Sequence, residues 1–374
     1  MRAQVAALIL DIFKVRPNEA RRTGLAFVYL FAAIGAFIVG RVARTVFFLE
    51  IPEFKQLLPF AYIGTAITVS LAVTVYQRVE RILRRDRTNA VTLALLTVVT
   101  IAFRFALSVN HSVAAWGFYF WVEIYGTFAV IQFWQLAGEL FHAREAKRLF
   151  AVIGAGGVLA NVVIGVAVNW VAKQLGTENL LFLICGCFLI AFAMVTMLGR
   201  DASRELEAAR GRKKSNAPVL QQRLLSSQHV RLLAMVVVVT YLVSTIVDYQ
   251  FQAIVGDSIT SKDARSAYLG GFYAWTGVFA GVVQLFFVSR ILERGGLLVA
   301  LAILPTTLLA GSIGVGLVPL LPALAMVVFT KGAENSLRYT VNDSTLQLLY
   351  LPLPPAMRSR AKTFIDGVLK PISV

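Results

Sequence analysis

The sequence predicts an all-α integral membrane protein that crosses the bilayer many times. Its 374 residues are 58% hydrophobic, and the mean hydropathy is +0.73. Asp, Glu, Lys and Arg make up only 15% of the chain, against about 25% in an ordinary soluble domain. Apolar runs recur along the whole chain at roughly the length that a spanning helix requires. The composition therefore excludes a soluble globular enzyme and a disordered protein.

Ten apolar segments are predicted to cross the membrane as helices, since each is close to the ~20 residues that a bilayer requires. Six of them lie before a long polar stretch, and four lie after it. In chain order the predicted spans are 25–49, 57–76, 90–107, 113–136, 149–171, 180–198, 232–255, 268–288, 297–317 and 323–349. Residues 363–374 are expected to begin an eleventh helix, but they would rise only about 18 Å and cannot cross.

The basic residues are distributed in a way that predicts the orientation of the chain. A net charge of +16 would suit a nucleic-acid partner if it lay on one soluble face. Most of the Lys and Arg residues instead lie at the N-terminus and in every second loop. The alternate loops hold Lys55, Lys173, Lys262 and Arg265. Because cytoplasmic loops carry the excess of basic residues, we predict a cytoplasmic N-terminus and no nucleic-acid partner.

The polar stretch 199–231 is predicted to be a cytoplasmic linker. It would separate an N-terminal six-helix bundle, residues 1–198, from an incomplete C-terminal bundle, residues 232–374. At the start of the chain, residues 1–22 combine apolar side chains with several basic ones and lack a small-residue cleavage site. That pattern predicts an amphipathic helix lying in the membrane interface rather than a signal peptide.

The segments on either side of the linker share two short patterns. Arg-Ile-Leu-Arg-Arg at 81–85 follows the second span, and Arg-Ile-Leu-Glu-Arg at 290–294 follows the eighth. Ala-Lys at 146–147 precedes the fifth span, and Ala-Lys at 361–362 precedes the expected eleventh. These matches predict two parallel repeats of six helices, a major-facilitator-type 6 + 6 bundle. Such a bundle has twelve helices, so we expect a fragment with ten full spans and the eleventh cut short.

Ionisable residues inside predicted spans are the candidates for function, because each charge there is costly. The seven candidate substrate-binding residues are Arg41, Arg44, Glu123, Asp248, Lys331, Glu334 and Arg338. Arg41 and Arg44 are three residues apart and share one helix face. Lys331, Glu334 and Arg338 form a single stripe in the tenth span. Guanidinium groups suit phosphate or carboxylate, and the acidic groups would balance charge or carry a coupling proton.

Structural interpretations of the same charges remain open at this stage. Arg41 and Arg44 could extend to the outer headgroups, and Glu334 and Arg338 could form a buried structural pair. Gly154, in a glycine-rich run of the fifth span, is not followed by the Lys-Ser/Thr of a phosphate loop, so close helix packing is expected there. No catalytic arrangement, metal-ligand spacing or cofactor motif is predicted.

Four stretches around these charges carry a resemblance to one family of carriers. Gly-Arg-Val-Ala-Arg-Thr at 40–45 is similar to a Leu-Arg-x-x-Lys-Asp pattern, with Thr45 in place of the Asp. A second pattern of that family has an acidic residue, then Phe-Trp, then Glu-Ala-Lys-Arg. This chain has the same order in Glu123, Phe-Trp at 133–134 and Glu-Ala-Lys-Arg at 145–148. Val-Asp at 247–248 resembles a Val-Glu pair, with Gln252 near a usual Lys.

The tenth span carries the most specific part of the resemblance. Arg-Tyr-Thr at 338–340 is followed by Asp343, Thr345 and Tyr-Leu-Pro-Leu at 350–353, and Leu-Gln at 346–347 replaces a Lys-Glu pair. In these stretches the chain resembles the ATP/ADP translocase family of nucleotide transporters, within the major facilitator superfamily.

This resemblance implies a carrier in a bacterial cytoplasmic membrane that exchanges ATP for ADP by alternating access. It also implies that Arg44, Glu123 and Asp248 are substrate-linked. The partners would be an anionic small molecule such as a nucleotide and the lipid bilayer. Departures at Thr45 and Gln252 keep open a related phosphorylated anion. The alternatives are a proton-coupled transporter of another organic anion and a non-transporting sensory or scaffold module.

Overall fold

The computed structural model describes residues 16–80, 85–141, 143–209, 227–316 and 323–350, with 352, 353, 357, 361, 364, 365 and 369. Every secondary-structure element in this part of the chain is a helix. The helices are α1 Pro17–Phe48, α2 Phe54–Glu80, α3 Arg85–Val109, α4 His111–Leu140, α5 Ala143–Leu175, α6 Leu180–Ala209, α7 Gln228–Ser258, α8 Lys262–Val282, α9 Gly296–Gly316, α10 Ala323–Leu337 and α11 Asp343–Leu349. We call α1–α6 the first helix group and α7–α11 the second helix group.

Local sequence explains where several helices begin and end. Asn110 alone separates α3 from α4, and its Oδ1 accepts a hydrogen bond from the backbone N–H of Val113 at 3.2 Å. Ser261 caps the start of α8 in the same way. Gly176 joins α5 to a 3-10 turn, Thr177–Asn179, with φ at +87°, a conformation that glycine adopts at little cost. Sharp reversals at these positions let successive helices run antiparallel.

Nine of the described helical segments are long and apolar enough to cross a membrane. They coincide with the first nine predicted spans, and the all-α membrane fold is confirmed. The tenth predicted span, 323–349, is also helical, but a π-helical turn, Arg338–Asn342, divides it. This turn leaves α10 with only 15 residues, so the crossing by this segment stays a prediction.

Helices extend further into the polar segments than the sequence predicts. Helix α1 begins at Pro17, inside the predicted interfacial segment 1–22, whose residues 1–15 lie outside the described part. Helix α6 runs on to Ala209 and α7 begins at Gln228, both within the predicted linker 199–231. Residues 199–209 are rich in Ala, Glu and Arg, which favour helix wherever it has already started. Residues 210–226 and most of the expected eleventh helix lie outside the described residues.

Helix α1 lies at the centre of the first helix group, against α4, α5 and α6. Its alanines at 32, 36 and 43 are fully buried, and such small side chains let neighbouring helices approach closely. Aromatic rings fill the wider gaps, as where Phe47 packs edge-on against Phe118 with 5.8 Å between ring centroids. The basic pair of α1 is therefore held within the bundle.

The two helix groups meet most extensively where α5 packs on α8. The backbones approach so closely that a Cβ added at Gly270 would lie 2.8 Å from the carbonyl oxygen of Gly165 and from the backbone nitrogen of Asn169. The side-chain Nδ2 of Asn169 donates a hydrogen bond to the carbonyl of Ala267 at 2.7 Å. We call this contact the α5–α8 seam, and its close packing depends on glycine.

One end of the bundle is closed by ion pairs between the groups, and we call Glu50, Arg104, His111, Glu178 and Lys262 the closed end. Lys262, at the start of α8, places its Nζ 3.2 Å from Glu50 and 3.4 Å from Glu178, both of the first helix group. Arg104 pairs with Glu178 at 3.2 Å, and His111 lies 2.9 Å from Glu50. Arg104, a charge within the third predicted span, thus belongs to this end of the bundle.

Gly270→Ala is expected to lower the stability of the protein by about 1–3 kcal/mol, because the added methyl meets backbone atoms of α5. Gly271→Ala is the matched control: its Cβ would have no neighbour closer than 3.7 Å, and alanine favours helix over glycine. Thermal unfolding of the two purified variants in detergent measures the difference. Equal unfolding midpoints would contradict the close backbone contact at the α5–α8 seam.

Candidate functional site

A cavity of about 110 Å³ lies between the two helix groups and collects most of the candidate charges. Its walls come from α1, α2, α4, α7, α10 and the first residue of the π turn after α10. The candidates that line it are Arg41, Arg44, Glu123, Asp248, Lys331 and Arg338. The seventh candidate, Glu334, is 1% exposed and lies behind this wall.

Arg44 and Glu123 form an ion pair within the first helix group. The Nη1 atom of Arg44 lies 2.6 Å from Oε1 of Glu123, which joins α1 to α4. The guanidinium carbon of Arg44 also lies 4.4 Å from the centroid of the Tyr119 ring, a cation–π contact. Arg44 is only 7% exposed, so the interpretation that it extends to the headgroups is wrong.

The second helix group holds a continuous chain of four charges. Lys331 Nζ lies 2.7 Å from Oδ1 of Asp248 and 3.0 Å from Oε2 of Glu334. The other oxygen of Glu334 lies 2.7 Å from Nη1 of Arg338. The predicted stripe on α10 therefore forms a buried ion-pair network, and Asp248 ties it to α7. Both ends of this network, Asp248 and Arg338, reach the cavity.

Tyr62 and Gln252 connect this network to the first helix group. The hydroxyl of Tyr62, on α2, donates a hydrogen bond to Oδ2 of Asp248 at 3.1 Å. The Nε2 of Gln252, one turn after Asp248 on α7, donates to the same oxygen at 2.6 Å and to the Tyr62 hydroxyl at 3.1 Å. Asp248 is thus held by three different helices, α2, α7 and α10.

Aromatic rings support the remaining guanidinium groups. The guanidinium carbon of Arg41 lies 5.1 Å from the ring centroid of Tyr273 and 5.7 Å from that of Phe37. That of Arg338 lies 4.6 Å from the ring centroid of Tyr241. The negative face of an aromatic ring attracts a cation without neutralising its charge. These contacts therefore hold positive charge at the cavity wall.

Among the described residues, the cluster carries a formal charge of +1, since its four cations meet three carboxylates. Buried charges are tolerated when they are paired, and each carboxylate here has a cation within 3.0 Å. In this count the cations exceed the carboxylates by one, and burial strengthens the electrostatic effect of that excess. An anion is the ligand that would complete the balance.

Residues 65–321 match the sequence model of the family described as TLC ATP/ADP transporter. The chain belongs to this family. It is 26% identical over 290 residues to ADP,ATP carrier protein 1 of Chlamydia trachomatis serovar D, an alignment that covers 67% of this chain and 55% of that one. It is 23% identical over 287 residues to the chloroplastic ADP,ATP carrier protein 1 of Arabidopsis thaliana, covering 68% and 46%.

This member of the TLC family spans about half the length of the curated relatives it matches. Its fold resembles the crystal structure of a D-xylose-proton symporter with a TM-score of 0.66, covering 94% of this chain and 87% of that one. The sequence identity in that comparison is 14%, so the likeness concerns the fold alone. The major-facilitator-type architecture is confirmed.

The sequence alone identified the charged residues that line this cavity and missed the neutral residues that line it. Ser244 and Tyr241 precede Asp248 by four and seven residues, so the helical period could have identified them. No comparable signal marks Tyr62 or Thr65 on the apolar helix α2. The side chain of Asp343, another charge of the tenth predicted span, lies outside the described part of the chain.

Lys331→Met is expected to destabilise the protein by about 3–5 kcal/mol, because it leaves Asp248 and Glu334 buried beside each other without their shared cation. Adding Asp248→Asn should restore part of the loss. Lys55→Met is the control, since the pair that Lys55 forms with Asp257 at 2.6 Å is about half exposed and contributes little.

Thermal unfolding of these variants in detergent checks the prediction. An unchanged midpoint for Lys331→Met would show that the network does not hold α7 against α10. Failure of Asp248→Asn to restore any stability would show that the loss has another cause.

Proposed function

We propose that this chain belongs to a carrier that exchanges nucleotides, ATP against ADP, across a bacterial cytoplasmic membrane. The observation that carries the proposal is the charge cluster at the cavity between the helix groups, where four cations outnumber the two carboxylates of the wall and Glu334 behind it. Polyphosphate groups are anions that guanidinium groups bind in a fixed fork. Membership of the TLC family, and the names of its ADP,ATP carrier relatives, support a nucleotide as the anion.

The proposed roles follow from charge and position. The cations that would hold anionic oxygens are Arg41, Arg44, Lys331 and Arg338. The carboxylates that would balance them in the empty state, or carry a coupling proton, are Glu123, Asp248 and Glu334. Substrate phosphate would then compete with carboxylate for the same guanidinium and ammonium groups. The carrier would need no covalent chemistry and no cofactor.

Alternating access would move the substrate between the two membrane faces. With the N-terminus in the cytoplasm, as the basic loops predict, the closed end faces outward. Arg41 lies further from the closed end than Arg44 does on α1. Arg338, just after α10, likewise lies further from it than Lys331. The cavity therefore extends toward the cytoplasmic side in this conformation. The α5–α8 seam would serve as the pivot, and residues 210–226 as part of the linker between an N-terminal and a C-terminal bundle.

A proton-coupled carrier of another phosphorylated or organic anion is the second candidate. Gln252 favours it, because a neutral amide bonds to Asp248 near the place where the resembled family usually has a Lys. Replacing that cation removes one positive charge that a triphosphate could use. Exchange of ADP for ATP that persists without a proton gradient would favour the first candidate over the second.

Arg44→Ala is expected to raise the KM for ADP about ten- to a hundredfold in proteoliposomes preloaded with ATP. One charge-assisted hydrogen bond is worth about 1.5–3 kcal/mol, and 1.4 kcal/mol corresponds to a factor of ten. Arg44→Lys keeps the charge but loses the fork, so its KM should lie between those of the wild type and Arg44→Ala. Arg290→Ala, an exposed arginine away from the cavity, is the control.

Because Arg44→Ala leaves Glu123 buried without its cation, the double variant Arg44→Ala/Glu123→Gln should be measured in parallel. A KM for ADP equal to that of the wild type in both variants would exclude Arg44 as a ligand. Absence of ADP/ATP exchange by the wild-type protein would contradict the proposed function itself.

Lys262→Glu is expected to open the closed end, because it places a third carboxylate beside Glu50 and Glu178. Repulsion among these groups replaces the ion pairs that join the two helix groups there. Lys173→Glu is the control. It makes the same charge change on an exposed residue in the last turn of α5, on the side of the closed end.

Accessibility of the cavity measures this opening. A cysteine at Thr245, on the cavity wall, is labelled from outside intact cells with a membrane-impermeant maleimide after Cys185 and Cys187 are replaced by Ala. Labelling should increase several-fold with Lys262→Glu and stay low with Lys173→Glu. Equal labelling in both backgrounds would show that these ion pairs do not close the outer side.

A further inference from the structure

Two hydroxyl groups at the cavity differ from the other hydroxyls of their helices. Thr68 on α2 donates a hydrogen bond to its own helix, to the carbonyl of Gly64 at 2.8 Å, and on α7 Thr240 and Thr245 donate to the carbonyls four residues before them. That is the usual way for a buried threonine of a helix to satisfy its hydroxyl. Thr65 on α2 and Ser244 on α7 have no hydrogen-bond partner among the described residues.

Both of these residues line the cavity, and both are buried. Thr65 is 6% exposed and Ser244 is 3% exposed. A buried hydroxyl without a partner costs free energy, and native proteins rarely keep one unless water, an ion or a ligand supplies the bond. The Nε of Arg44, in the same cavity wall, also lacks a partner among the described residues.

The positions of the two hydroxyls are related across the interface between the helix groups. Thr65 follows Tyr62 by one turn of α2, and Ser244 precedes Asp248 by one turn of α7. Tyr62 and Asp248 are joined by the 3.1 Å hydrogen bond between the groups. Because α2 leaves the closed end and α7 runs toward it, the backbones of Thr65 and Ser244 lie about 5 Å further from the closed end than those of Tyr62 and Asp248.

We propose that Thr65 and Ser244 are substrate-binding residues that donate hydrogen bonds to phosphoryl oxygens of the anion in the cavity. This inference rests on the proposed function, since it requires an anionic substrate there. One hydroxyl comes from each helix group, so a ligand that uses both must bridge the groups. Neutral donors add hydrogen bonds without adding to the positive charge of the cluster, which fits a site whose carboxylates already offset most of its cations.

Thr65→Val and Ser244→Ala test the proposal in the purified full-length protein. Binding of ADP and of inorganic pyrophosphate is measured by calorimetry, and thermal unfolding is measured without ligand. Each substitution is expected to weaken binding about tenfold, the loss of a hydrogen bond to a charged oxygen. Neither should lower the unfolding midpoint of the empty protein, because each removes a hydroxyl that has no partner among the described residues. Thr65→Ser should recover most of the affinity.

Thr68→Val and Thr240→Val are the matched controls, since each removes a hydroxyl that bonds to its own helix and neither residue lines the cavity. Their affinity for both probes should equal that of the wild type.

Unchanged affinity in Thr65→Val and Ser244→Ala, with a wild type that binds, would overturn this inference and leave the proposed function standing. A wild type that binds pyrophosphate but not ADP would contradict nucleotide exchange, and the hydroxyls would still be tested with pyrophosphate. A wild type that binds neither probe would overturn both.

Discussion

Pairing of buried charges is the constraint on which the rest of this structure depends. An unpaired charge inside a membrane is costly, so each of the carboxylates at the cavity must face a cation. The pairs Arg44–Glu123 and Asp248–Lys331 fix which faces of α1, α4, α7 and α10 point inward. The apolar faces opposite them are then left for lipid. Because the cations of the described cluster outnumber its carboxylates by one, the feature that sets the packing also favours an anionic ligand.

The contacts between the two helix groups differ in kind, which suits a rocking motion. The α5–α8 seam is a neutral contact between closely packed backbones, and its loss would leave a gap that side chains cannot fill. The closed end depends on partly exposed ion pairs around Lys262, which water can replace at small cost. Between them, the Tyr62 hydroxyl joins the two groups at the cavity by donating a hydrogen bond to Asp248 and accepting one from Gln252. In the proposed transport cycle, the pivot would therefore lie at the seam and the separation at the closed end.

The sequence predicted the charged part of the site because charges are rare in spanning helices and their spacing shows which of them share a face. It could not show that Glu334 lies behind the wall, since a residue of the same stripe can face the cavity or a neighbouring helix. The sequence did not identify Tyr62, Thr65 and Ser244 as residues of the site, because neutral polar residues are ordinary in such helices. The π turn at Arg338–Asn342 depends on tertiary packing and has no pattern of its own. Helix α6 extends to Ala209 because helix propensity continues where hydropathy ends.

The central claim is that an anion completes the charge balance of this cavity and contacts both helix groups there. An experimental structure of the full-length protein with ADP bound tests this claim most directly. The account predicts that phosphoryl oxygens lie within about 3.5 Å of Arg44 in the first helix group and of Arg338 or Lys331 in the second. Phosphate groups bound elsewhere, or contacts to one helix group alone, would contradict it.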